Sequence, residues 1–180
     1  MKSKTTLAVA IIAVFLAVAL GIAIAAQDKY TVKAPNGVEF SEFRGYESWQ
    51  NVAPSVTEDG IKSILANPVM IKAYQDGIPG NGKPFPDGSM IVKIEWKKKQ
   101  NTDSPYSVEV PATLKSVAFI EKDNKRFPDS SVWGYAQFNY DAASGTFKPF
   151  GNDSSFATKC YKCHTIVKAT DYIFTRYAER

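Results

Sequence analysis

The stretch SMIVKIEWKKK, residues 89–99, alternates with a period of two. Met90, Val92, Ile94 and Trp96 fall on one face, and Ile91, Lys93 and Glu95 on the other. Successive side chains of an extended chain point to opposite faces, so this pattern predicts a strand. The run before it, GIPGNGKPFPDG at 77–88, is rich in Gly, Pro, Asn and Asp and must be loop and turn. One residue of the strand is odd. Lys93 stands among Ile91, Val92 and Ile94 in mid-strand, although the wet face of an antiparallel sheet commonly carries such a lysine.

Outward from this strand the chain stays mostly extended. Gly60–Leu65 reads as a short strand, and Asn67-Pro68 then supplies a cap and a first-turn proline for a short helix over VMIKAYQD, stopped at Gly77. YSVEVPATLKSVAFIEKD, 106–123, reads as one or two strands around Pro111. VWGYAQFNYD, 132–141, alternates aromatics with small residues, and AASGTF turns it into the next segment. Helical character returns only after Cys160. The expected fold is mainly β, of the α+β kind: an antiparallel sheet with a few short helices.

The first 26 residues stand apart. Met1-Lys2-Ser3-Lys4 is a basic start, Leu7–Ala26 is uninterruptedly apolar or small, and Ala23-Ile24-Ala25 fits an A-x-A cleavage pattern. This predicts a signal peptide, with an uncleaved membrane anchor as the alternative. Either way residues 27–180 are expected to be exported, to the periplasm, as one domain long enough for a real core. The formal charge of +4 falls to +2 once Lys2 and Lys4 are set aside, which gives no argument for nucleic acid. The basic run EWKKKQ at 95–100 reads as a solvated strand end.

Both cysteines and the only histidine lie within KCYKCHTIV, 159–167. Cys160-x-x-Cys163-His164 is the attachment signature of haem c. The two thiols add to the haem vinyl groups, and the tethered histidine is placed as the proximal nitrogen ligand of the iron. A structural zinc site usually needs four Cys or His ligands, and this chain offers three. A thioredoxin-like pair belongs near a βαβ pattern, which is absent. A plain disulfide suits an oxidising compartment but leaves the position of His164 unexplained.

With one histidine, bis-histidine ligation is excluded, and no methionine follows His164. Met70 and Met90 lie upstream and read as core packing, although an electron carrier would need one of them or a lysine as sixth ligand. A four-helix cytochrome c′ also carries its motif late, but the alternating strands contradict that bundle. A single haem c with an open distal position against a β-sheet is the expected centre, and it suits small-molecule binding or chemistry better than simple electron relay.

At FPDGSMIVKIEW (85–96), KDNKRF (122–127), VWGYAQF (132–138) and CYKCHTIVKATDYIFTRY (160–177), with GYESW (45–49) at the entry, the chain resembles the cytochrome P460 family. The resemblance spans roughly residues 45–177. It implies a β-rich homodimer, one haem c held by Cys160, Cys163 and His164, and oxidation of hydroxylamine to nitrous oxide with electrons passed to a redox partner protein. In P460 proper a lysine is also bonded to the haem, and the lysine of F-x-D-G-x-x-x-V-K falls on Lys93. The glutamate that hydroxylamine-oxidising relatives carry before the K-D segment reads Ala118 here. Glu95, Glu109 and Glu121 are the possible substitutes, and Lys62 is the nearest match to a family arginine before the Asn67-Pro68 turn. Phe85, Phe119, Phe127 and Phe138 could line an apolar distal pocket, although most must be core. Such a pocket would resemble the related cytochrome c′-beta, which binds nitric oxide or carbon monoxide without the lysine link.

Overall fold

The computed structural model describes residues 27–179. The expected signal or anchor at 1–26 lies outside the described residues, and among those described no helix is long and apolar enough to cross a membrane. Six strands form one antiparallel sheet in chain order: β1 (Gln50–Thr57), β2 (Gly60–Ala66), β3 (Met90–Gln100), β4 (Glu109–Lys122), β5 (Trp133–Asp141) and β6 (Thr146–Pro149). Among the described residues two helices accompany it, α1 (Pro68–Gln75) and α2 (Ser155–His164), together with short 3-10 turns. The mainly β expectation holds.

The local signals acted as their chemistry requires. The Asn67 side chain accepts from the Met70 amide at 3.0 Å, which caps α1 ahead of Pro68, and Gly77 follows the helix with φ 84°. β4 runs unbroken through Pro111, because β5 pairs only with Ser116–Lys122 and Pro111 therefore has β3 on one side alone. The alternation of β3 is broken by register shifts on either side of Trp96. Two elements differ from the sequence reading. β1, QNVAPSVT, has no clean alternation and carries Pro54, which an edge strand tolerates. α2 begins at Ser155, ahead of Cys160, where the Asp153 carboxylate accepts from the Ser155 amide at 2.8 Å.

The sheet separates two cores. Leu65, Val92, Val117, Phe119 and Phe138 point to one side and pack under the N-terminal segment at Val38, Phe40, Phe43 and Tyr46. Ile64, Ala66, Ile91 and Tyr135 point to the other, against Met70 and Tyr74 of α1 and Tyr172 and Ile173 of the C-terminal segment. Phe119 stacks on Phe43 with ring centroids 4.1 Å apart. This division decides which residues of β2–β5 can reach the C-terminal motif.

Candidate functional site

α2 is pinned by Phe156, which is buried, and by Ala157 and Cys160, which pack against both cores. Cys160, Cys163 and His164 stand at i, i+3 and i+4 and so share one face of the helix. Cys160 is half-buried and Cys163 exposed, both as free thiols. Burial pushes the Cys160 thiol up, and the Lys93 ammonium opposes this.

His164 is oriented by the chain that follows it. Its Nδ1 lies 2.6 Å from the carbonyl oxygen of Tyr172, which can only accept, so Nδ1 carries the proton and Nε2 keeps its lone pair for a metal. Burial, joined by the nearby Lys93 charge, holds its pKa below the ordinary histidine range and favours the neutral, ligating form. Tyr135 and Phe174 pack against the ring at centroid distances of 4.9 and 4.8 Å.

The Tyr172 carbonyl is presented by a left-handed turn, with φ 52° at Asp171 and 66° at Tyr172. Such values cost non-glycine residues about 1 kcal/mol or more each, so something must hold them. Asp171 does so. Its carboxylate accepts from the Phe85 amide at 2.8 Å, from Lys122 Nζ at 2.6 Å and from Trp133 Nε1 at 3.4 Å. The loop before β3, the end of β4 and the start of β5 thereby fix the loop that orients His164.

His164 and Cys160 open on a mainly apolar cleft of about 190 Å³ whose floor is the sheet. Ile64, Lys93, Ala118 and Gln137 are successive register partners across β2, β3, β4 and β5, and all four line it. Lys93 is thus no ordinary surface lysine. It shares one cleft with Cys160 and His164, while Ile91 and Ile120 line the same space.

Strand parity and ion pairing together keep the three candidate carboxylates out of the cleft. Glu95 shares the face of Lys93 but is bound by Lys115 Nζ at 2.6 Å, with Lys62 Nζ 3.9 Å away. Glu109 pairs with Lys98 at the far end of the ladder, and Glu121 points to the opposite face, to Arg126. None of the three lines the cleft. Lys62 is committed to Glu95 and to Thr57 Oγ1 rather than to the cleft. Met70 is fully buried under α1, and Met90 packs on the other face of the sheet. Phe85, Phe119, Phe127 and Phe138 are all buried in the cores, and of the four only Phe119 also borders the cleft.

The family model for cytochrome P460 matches residues 43–175. The chain belongs to the cytochrome P460 family. No curated protein matches the chain. Membership makes this P460 chain a c-type haem cytochrome, and its own residues fit that group. Two thiols and an imidazole share a helix face, the imidazole is locked with Nε2 free, and a mainly apolar cleft lies beside them. Among the described residues there is no group of three or more His, Cys, Asp and Glu side chains that could hold a metal ion by themselves.

Several site residues carried no role in the sequence reading. Asp171 and Phe174 belong to the T-D-x-x-F-T-R segment that marked the family, without any sign of what they touch. Tyr135 and Gln137 lay in an alternating strand whose inward face could not be assigned. Tyr172 acts through its backbone, which no side-chain pattern reports.

Proposed function

We propose that this P460 cytochrome is an exported, periplasmic protein holding one haem c through thioether bonds to Cys160 and Cys163, with His164 Nε2 on the iron. Its function is to bind hydroxylamine and nitric oxide at the open iron position and to oxidise hydroxylamine. The observation that carries this reading is the convergence of Lys93, Cys160 and His164 on one cleft, with Met70 and Met90 outside it. The haem supplies the redox centre. Overall, two NH2OH give N2O, H2O, four protons and four electrons, and the electrons leave to an acceptor protein.

The chain's own residues divide the rest of the work. Ile64, Ile91 and Ile120 keep bulk water from the floor of the cleft. The Tyr172 carbonyl holds His164 in one tautomer, which raises the donor strength of Nε2. Lys93 is the candidate covalent link to the haem, and Gln137, with Ala118 between them, is the polar residue at the other end of the row. A homodimer and an attachment to the membrane only through an uncleaved N-terminus complete the proposal.

A second reading rests on Ala118. With no carboxylate among the described residues lining the cleft to take protons, a site that binds nitric oxide without turning hydroxylamine over is the alternative. Peptide-mapping mass spectrometry of the haem-loaded protein tests the first reading. The Lys93 peptide is expected to stay joined to the Cys160–His164 haem peptide after digestion. Recovery of Lys93 as a free peptide would remove the cross-link and favour the gas-binding reading.

A further inference from the structure

Side chains on the cleft face of β3, β4 and β5 stand in rows of register partners. Ile91, Ile120 and Tyr135 make the first row, Lys93, Ala118 and Gln137 the second, and Glu95, Ser116 and Asn139 the third. Two residues separate one row from the next along a strand, about 6–7 Å. Tyr135 packs on the His164 ring, so the first row lies on the histidine side of the cleft and the second lies beyond it. A polar groove of about 620 Å³, lined by the third row, adjoins the cleft, and Gln137 is the residue that lines both.

Few polar side chains in the cleft are left to meet a ligand. Cys160 and His164 are committed to the haem, Lys93 is the candidate link to it, and the Tyr135 hydroxyl is buried. Thr175 follows Phe174, which packs on the His164 ring, and so stands on the histidine side. Gln137, half-buried, is the remaining polar group, and its amide is oriented. Nε2 donates to Asn139 Oδ1 at 2.9 Å, and Asn139 lines the groove but not the cleft. The nitrogen end is thereby drawn toward the groove, which leaves Oε1, a pure acceptor, for the cleft.

We propose that Gln137 is the specificity-determining residue of the cleft: its Oε1 accepts a hydrogen bond from the N–H or O–H of hydroxylamine held at the iron, and Asn139 is the positioning residue that aims it. Nitric oxide, carbon monoxide and cyanide ion carry no hydrogen and gain nothing from that acceptor. An amide accepts a hydrogen bond without taking the proton, so Gln137 selects the ligand and does not replace the carboxylate absent at position 118. The inference rests on the hydroxylamine reading and names the group that recognises the substrate.

The test titrates the ferric, haem-loaded protein with hydroxylamine and with cyanide, followed in the haem absorption band with no electron acceptor present. Gln137→Leu is expected to weaken hydroxylamine about two- to tenfold relative to cyanide, the scale of one hydrogen bond. Asn139→Ala, at an exposed position, is expected to act in the same direction, and Asn139→Asp, which keeps an acceptor for Nε2, to restore the preference. A hydroxylamine-to-cyanide ratio unchanged in Gln137→Leu would overturn the proposal. An unchanged ratio in Asn139→Ala would do the same, which keeps the test decisive if the leucine variant fails to fold. In either case normal binding of both ligands leaves the open iron position standing. Binding of neither ligand to the unaltered protein would instead remove the open iron position, and this proposal with it.

Discussion

Lys93 on β3 and Ala118 on β4 are direct register partners on the cleft face of the sheet. In an antiparallel pair the two Cβ atoms lie about 5 Å apart, so position 118 is where a side chain could act beside Lys93. Ala118→Glu would place a carboxylate there. It is expected to raise hydroxylamine oxidation about a hundredfold, the usual scale of a positioned base, whereas Ala118→Gln leaves it flat. Steady-state oxidation with an artificial electron acceptor checks this, and equal rates for the two variants would show that no base is wanting.

Asp171 and Lys122 make a buried ion pair at 2.6 Å between the histidine-orienting loop and the end of β4. Asp171→Asn leaves the Lys122 charge with a weaker partner and frees the left-handed turn. Breaking such a pair from one side costs about 3–5 kcal/mol. Urea unfolding should show a loss of that order, and resonance Raman of the reduced haem should show a shifted iron–histidine stretch. An unchanged stretch would mean that the loop holds its shape without Asp171.

Glu121 predicts a pH dependence away from the haem. Burial, with Glu42 alongside, pushes its pKa up to about 8, even though Arg126 Nη1 lies 2.9 Å away, because that guanidinium is shared with Glu42. A carboxyl group raised in the fold binds protons more tightly there than in the unfolded chain. Its contribution is therefore complete below about pH 4.5 and is lost as pH rises towards about 8. Stability should fall across that window by at most about 1.4 kcal/mol per pH unit. Glu121→Gln should flatten the decline, as followed by denaturant midpoints at several pH values, and an identical slope in the variant would assign the effect elsewhere.

Gly134 on β5 gives a packing test. A Cβ built there would lie 2.4 Å from the ring of Phe127, which is itself buried. Gly134→Ala is expected to destabilise by about 1–3 kcal/mol through overpacking. Thermal unfolding measures it, and a neutral result would show that the Phe127 ring can move aside.

The sequence by itself determined what depends on near neighbours along the chain. The haem c signature is legible because Cys160, Cys163 and His164 stand at i, i+3 and i+4 of one helix, so their spacing is local. The β3 alternation, the Asn67-Pro68 cap and the Gly77 stop are local in the same sense. β1 escaped because Pro54 and its polar residues mask the period of an edge strand. The tertiary structure alone decided that Glu95, Glu109 and Glu121 all stay out of the cleft. A shift of one residue reverses the facing of a whole strand, and register is set by contacts far apart in sequence. That is why Ala118 meets Lys93 while Glu121 is turned away, and why Asp171, coming from beyond the sheet, could be seen only once Lys122, Phe85 and Trp133 had been folded around it.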